Sequence, residues 1–141
     1  PKALAYSRKI ARKFGLGDCI STVEGTVSRR SNELERAVNC HTPDIVEVIG
    51  LLDYLSDSAA SALIKRLSGL LHLNGGGFFF TANVAPNPEQ FFLKWVIGWP
   101  MIYRTDKRLW RVVADAGVSR FQIKYEPHRI HGIVIARVNL A

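Results

Sequence analysis

Between Asp44 and Val84 the hydrophobic pattern changes period twice. Asp44–Ile49 is apolar except for its acidic positions, the pattern of a strand enclosed on both faces. From about Ser58 to Leu71, Ala59, Leu63, Ile64, Leu67, Leu70 and Leu71 recur at helical spacing, and Asp57 stands at the positive end of that helix. Asn74-Gly75-Gly76-Gly77 supplies a turn, and Phe78–Val84 returns to a buried-strand pattern. The sequence predicts a β-α-β crossover of a parallel sheet. In such sheets ligands bind beyond the carboxyl ends of the strands, which here means Gly50-Leu51-Leu52-Asp53-Tyr54.

The flanking segments extend an α/β pattern. Ala3, Tyr6, Ile10 and Phe14 predict an opening helix that Gly15 or Gly17 ends. Ile20–Val27 alternates as a modest strand, and Leu34 and Val38 suggest a short helix over 29–39 with Ser31 as a cap. Asn87-Pro88-Glu89-Gln90 has the form of a capped helix start, with Phe91, Phe92, Trp95 and Val96 following. Thr105 caps a further helix that presents Leu109, Val112, Val113 and Ala116 inward and ends at Gly117. Arg120–Tyr125 and Gly132–Val138 are joined by a short link and predict an antiparallel pair.

Composition narrows the function classes. A chain of 141 residues supports one domain with a real core. No apolar run reaches the roughly 20 residues that span a bilayer, and no signal peptide is visible. Two cysteines, Cys19 and Cys40, are too few for a disulfide framework, so a reduced, cytoplasmic setting is expected. The formal charge of +7 favours anionic partners. Nucleic acid is disfavoured, because no basic run alternates with stacking aromatics.

Few local motifs carry chemistry. His128 and His131 stand three apart, but Pro127 argues against a regular helix there, and the cysteines lack metal-binding spacing. They are read as loop histidines. Gly75–Gly77 precedes a strand, unlike a phosphate-binding glycine loop. Trp95, Trp99, Tyr103 and Arg104 could form an apolar pocket with a guanidinium for an anion, or the tryptophans could simply pack. Asp53 and Tyr54 could face a ligand or shape their loop.

Taken in order, Glu24-Gly25-Thr26, Gly50–Leu55, Asn74-Gly75-Gly76 and Thr81-Ala82-Asn83 resemble the later part of class I S-adenosylmethionine-dependent methyltransferases. Trp99–Arg104 and Tyr125-Glu126 add a likeness to the bacterial group that forms 3-hydroxy fatty acid methyl esters. The resemblance covers nearly the whole chain and rests on the order and spacing of individually weak motifs. It implies a three-layer Rossmann-like methyltransferase sheet and a single partial domain over residues 1–141. It also implies S-adenosyl-L-methionine as cofactor, with Gly25, Thr26 and Val27 near the adenine and Gly50, Leu51 and Leu52 near the methionine end. Asp53 would align or deprotonate the acceptor. Tyr54, Trp99, Tyr103 and Arg104 would bind the substrate, Arg104 holding a fatty-acyl carboxylate.

The departure from the family is equally informative. The first two strands and the GxGxG loop of the family sheet, ordered 3-2-1-4-5-7-6, have no counterpart here. Ile20–Val27 would then lose its neighbours, and an open edge favours association. A homodimer or pairing with the missing N-terminal segment is expected, as is weak donor binding by the chain alone. The leading expectation is the C-terminal portion of a methyltransferase acting on a small or lipid-like acceptor. The alternative is a non-catalytic remnant that serves as a binding or assembly module.

Overall fold

The computed structural model describes residues 2–25 and 32–139. The chain forms two compact units, 1–41 and 42–141. In the first, helix α1 (Lys2–Lys13) ends ahead of Gly15, whose φ of +70° turns the chain. Arg8 Nε donates to Thr22 Oγ1 at 2.6 Å and holds the return segment. Helix α2 (Glu33–His41) lies two to four residues later than its spacing predicted, and the suggested Ser31 cap lies outside the described residues.

The strand expected over 20–27 does not form within 20–25, which is irregular, while Thr26 and Val27 lie outside the described residues. A strand exists only through its ladder, and this segment pairs with no other among the described residues.

The second unit contains the predicted crossover. Strand β1 (Ile45–Val48) leads through a 3-10 turn (Leu52–Tyr54) into helix α3 (Asp57–Leu73) and strand β2 (Gly77–Val84). Ser56 caps α3 by accepting from Ala59 N at 3.3 Å. Helices α4 (Gln90–Trp95) and α5 (Asp106–Asp115) precede the hairpin of β3 (Phe121–Tyr125) and β4 (His131–Val138). The sheet runs β1-β2-β4-β3, with β1 and β2 parallel and β4 antiparallel to both of its neighbours. This is the 4-5-7-6 half of the expected order, so the α/β class and the Rossmann-like topology are observed.

Alternation divides β2 into two faces. Phe79, Thr81 and Asn83 are sealed, as are Ala136 and Val134 opposite them on β4. Leu109 of α5 packs over Gly132 on this same face, and α3 joins α5 through Ser61 Oγ donating to the Val112 carbonyl at 2.7 Å. Leu63, Ile64, Leu67 and Leu71 complete this core, the face their helical spacing predicted. The paired Ile45 and Phe78 on the opposite face remain 57% and 43% exposed. No helix among the described residues is long and apolar enough to cross a membrane.

Thr105 caps α5 as expected, accepting from Arg108 N at 3.4 Å. Asn87 acts differently. Its Oδ1 accepts from Glu89 N at 3.0 Å, making a local turn, and α4 starts only at Gln90.

Gly77 opens β2 at φ +144°, and a Cβ there would lie 2.2 Å from the Asp44 carbonyl oxygen. That carbonyl accepts from Phe78 N at 2.8 Å and sets the register of β1 against β2. Gly77→Ala is therefore expected to cost about 3 kcal/mol or more, since strain and a broken ladder contact add. Urea unfolding checks this, and an unchanged midpoint would refute it.

Candidate functional site

The carboxyl ends of β1 and β2 open onto a cavity of about 620 Å³. Gly50, at φ +73°, turns the chain out of β1, and the 3-10 turn then brings Asp53 and Tyr54 to the rim. Val84, Pro88, Leu93, Met101 and Ile130 make most of the wall apolar. Trp99 Nε1 donates to the Tyr54 hydroxyl at 2.6 Å, joining two residues 45 positions apart into one side of the pocket.

Asp53 is buried, and its Oδ1 accepts from Val84 N at 2.8 Å. Its backbone carbonyl accepts from Ile102 N at 2.7 Å. The residue thus ties the end of β1 to the exit of β2 while lining the cavity. His131 pairs in register with Val84 on the neighbouring strand, so Asp53 and His131 flank the same backbone position. His128 also lines the cavity.

The turn carrying both histidines is built by Glu126. Its carboxylate accepts from His128 N at 2.6 Å and His131 N at 3.0 Å, and also from Ile130 N. Desolvation raises the Glu126 pKa, but these three backbone donors and the nearby His128 outweigh it and hold the group below its ordinary range. The histidines expected to be ordinary loop residues therefore belong to the site. Their pairing with Tyr125-Glu126 was the available signal, but only the hairpin fold turns it toward β2.

Arg104 corrects the expectation of a substrate-binding guanidinium. It is fully buried, and its donors are directed to the protein itself. Nε bonds Asp57 Oδ1 at 2.9 Å, one terminal nitrogen bonds the Leu52 carbonyl at 2.8 Å and the Asn83 side chain, and the other bonds the Leu55 carbonyl at 2.6 Å. A group so engaged cannot also clamp a carboxylate. Asp57 receives a second guanidinium from Arg108 at 2.7 Å. The Arg108 bond, followed by the Arg104 contacts, lowers its pKa against the opposing effect of desolvation.

Tyr103 does not line the cavity, and its buried hydroxyl has no hydrogen-bond partner among the described residues. Desolvation, then the charges of Asp53 and Glu89, raises its pKa and keeps it a neutral donor. Phe91, Phe92 and Trp95 are exposed and stand outside the cavity lining.

The cofactor-side residues divide. Gly50 lines the cavity and has open space where a Cβ would stand, which fits a group lying close to the backbone. Leu52 is sealed in the core and offers no side-chain contact. Leu51 is half-buried and Gly25 exposed, the latter in the first unit, while Thr26 and Val27 lie outside the described residues. Of the residues expected to hold S-adenosyl-L-methionine, Gly50 is the one among the described residues that lines the cavity. Among the described residues no cluster of three metal-ligating side chains exists.

No family model matches the sequence, and no curated protein does. Solved structures do match in fold. A candidate exported protein from Bordetella parapertussis aligns with a TM-score of 0.75 at 20% identity, over 100% of this chain and 51% of its own. An O-methyltransferase family protein from Burkholderia thailandensis aligns with 0.70 at 18%, over 100% and 42%. The S-adenosylmethionine-dependent methyltransferase SibL aligns with 0.70 at 16%, over 100% and 42%. The chain thus spans about half or less of each relative and has the fold of their matching portion.

Two outcomes test the Arg104 assignment. Arg104→Leu is expected to lower unfolding free energy by about 3–5 kcal/mol, because Asp57, Asn83 and two carbonyls lose a buried partner. Chemical denaturation measures it, and unchanged stability would restore the substrate role. Asp57 has a folded pKa below its ordinary 3.8, so its contribution is present above that value and is lost as pH falls through the folded one. Asp57→Asn should therefore flatten the acid limb of the stability curve below 3.8. An unaltered limb would show that the two arginines do not stabilise the carboxylate.

Proposed function

We propose that residues 42–141 form the acceptor side of an S-adenosyl-L-methionine-dependent methyl-transfer site, for a small neutral molecule bearing a hydroxyl or amine. The observation that carries this reading is the cavity at the carboxyl ends of β1 and β2, which joins an apolar wall to Asp53 and His131. Its position on a sheet of methyltransferase order supports the reaction class.

When bound, the donor supplies an electrophilic methyl group on a sulfonium, and Gly50 would lie against it. The chain's residues do the rest. Val84, Leu93 and Met101 exclude water from the acceptor. The bonded Tyr54–Trp99 pair gives a flat surface that limits its orientation. His131, carried on a strand and fixed through Glu126, takes the acceptor's proton on an imidazole nitrogen. Asp53, held by Val84 N, aligns the acceptor.

A fatty-acyl carboxylate suits this wall poorly. The lining includes Asp53 and Glu89 and neither lysine nor arginine, and Arg104 is committed elsewhere. A lipid acid would be repelled where a phenol or alcohol would not. The glycine loop of the family has no counterpart in this sequence. Completion of the donor side by a further segment or a second copy belongs to the same proposal. The free cysteines, Cys19 and Cys40, support a reducing, cytoplasmic setting.

The acceptor preference is testable on the chain itself. A neutral phenol should shift the Trp99 indole N–H resonance at concentrations where the matched benzoate does not. Equal binding of both would overturn the charge argument. In an assembly that transfers methyl groups, His131→Ala should lower turnover by about 100-fold with donor affinity unchanged. Undiminished turnover would remove His131 from the chemistry.

A further inference from the structure

Strand β3 ends the sheet on one side and pairs only with β4 among the described residues. Arg137 N donates to the Arg120 carbonyl at 3.0 Å, so these two positions, in register, form a hydrogen-bonded pair. Such pairs alternate along an antiparallel ladder, and Gln122 and Lys124 therefore direct their backbone groups to β4. The N–H and C=O groups of Phe121, Ile123 and Tyr125 face outward instead. That row is a template for a further strand.

The side chains of the same residues lie on the sheet face that α5 covers, since Phe121 and Ile123 are in register with the sealed Ala136 and Val134. Phe121 meets Trp110 of α5 with ring centroids 5.8 Å apart, yet Trp110 remains 55% exposed. Lys107, Trp110, Phe121 and Ile123 line a cleft of about 390 Å³ beside the edge. Asp106 closes one end of it and accepts from the Tyr125 hydroxyl. An uncovered aromatic pair thus adjoins the outward backbone row.

We infer that β3 pairs antiparallel with β3 of a second copy, about a two-fold axis at Ile123. In that register Phe121 stands opposite Tyr125 of the second copy and Ile123 opposite its own equivalent, so every outward residue of the strand finds a partner. Gln122 stands opposite Lys124, and just beyond the strand Arg120 stands opposite Glu126. Symmetry repeats each contact. Other registers bring like charges together. A centre at Gln122 would set Arg120 opposite Lys124, and a centre at Lys124 would set that lysine opposite itself. Across the axis, Tyr125 and Ile123 of the second copy extend the cluster of Trp110 and Phe121 and cover the cleft. The inference does not rest on the methyl-transfer reading.

Sedimentation velocity of the whole chain over a concentration series tests the pairing. A reversible monomer–dimer equilibrium is expected, and a strict monomer at millimolar concentration would overturn it. Hydrogen exchange locates the contact. The amides of Phe121, Ile123 and Tyr125 should gain protection as the dimer forms, whereas those of Gln122 and Lys124 are protected in both states. Gln122 is exposed, so substitutions there spare the fold. Gln122→Lys sets lysines opposite each other at both symmetric positions and should weaken the dimer about fivefold, whereas Gln122→Glu should strengthen it by a similar factor. Ile123→Pro removes an outward amide that β4 does not use, and should abolish the dimer. Association that these substitutions leave unchanged, or that leaves 121, 123 and 125 unprotected, would put the contact on another face and overturn the inference.

Discussion

The second unit depends on the buried guanidinium of Arg104. An ion enclosed in protein is tolerated only when each donor finds an acceptor, and the acceptors here come from four places. Leu52 and Leu55 belong to the loop after β1, Asp57 begins α3, and Asn83 lies near the end of β2. The Asn83 side-chain oxygen would otherwise stand unpaired in a region closed to water. One side chain thereby holds together the strand exit, the turn and the helix start. The backbone of Arg104 adds a further tie by donating to the Val84 carbonyl at 3.0 Å.

This constraint explains how a loop can form a precise pocket wall. The segment after β1 is short of regular structure, yet Asp53 and Tyr54 are set in definite positions because Arg104 and Val84 grip the residues around them. Asp53 uses one oxygen for that purpose and still faces the cavity. Under the proposed methyl-transfer reading a structural and a functional role coincide in that carboxylate, so Asp53→Asn would affect both. Under the same proposal His131 is the cleaner reporter of chemistry. Its backbone is secured by Glu126 and the β2–β4 ladder, and its side chain is not among the groups that hold the hairpin.

The two ends of the sheet differ in electrostatic character. At the carboxyl end, Asp53 and Glu89 stand beside histidines in an apolar wall. At the other end lies a cavity beside α3 that neither Asp nor Glu lines.

The crossover from Asp44 to Val84, the cap at Thr105 and the final hairpin were legible in the sequence. Their signals are local: a period of hydrophobicity, a hydroxyl three residues from an amide, a short polar link. The order of weak motifs also pointed to the Rossmann-like fold. Tertiary structure decided the rest. Ile20–Val27 has an alternating pattern, but residues 20–25 form no strand because a ladder needs a partner that no local pattern can provide. Arg104 beside Tyr103 reads as an anion clamp in an apolar pocket, yet burial and four distant acceptors make it the anchor of the loop. His128 and His131 read as loop residues until β4 lies beside β2 and turns them to the cavity. Periodicity specifies which face of an element is buried, whereas the partner of a buried charge is set by residues far away in the chain.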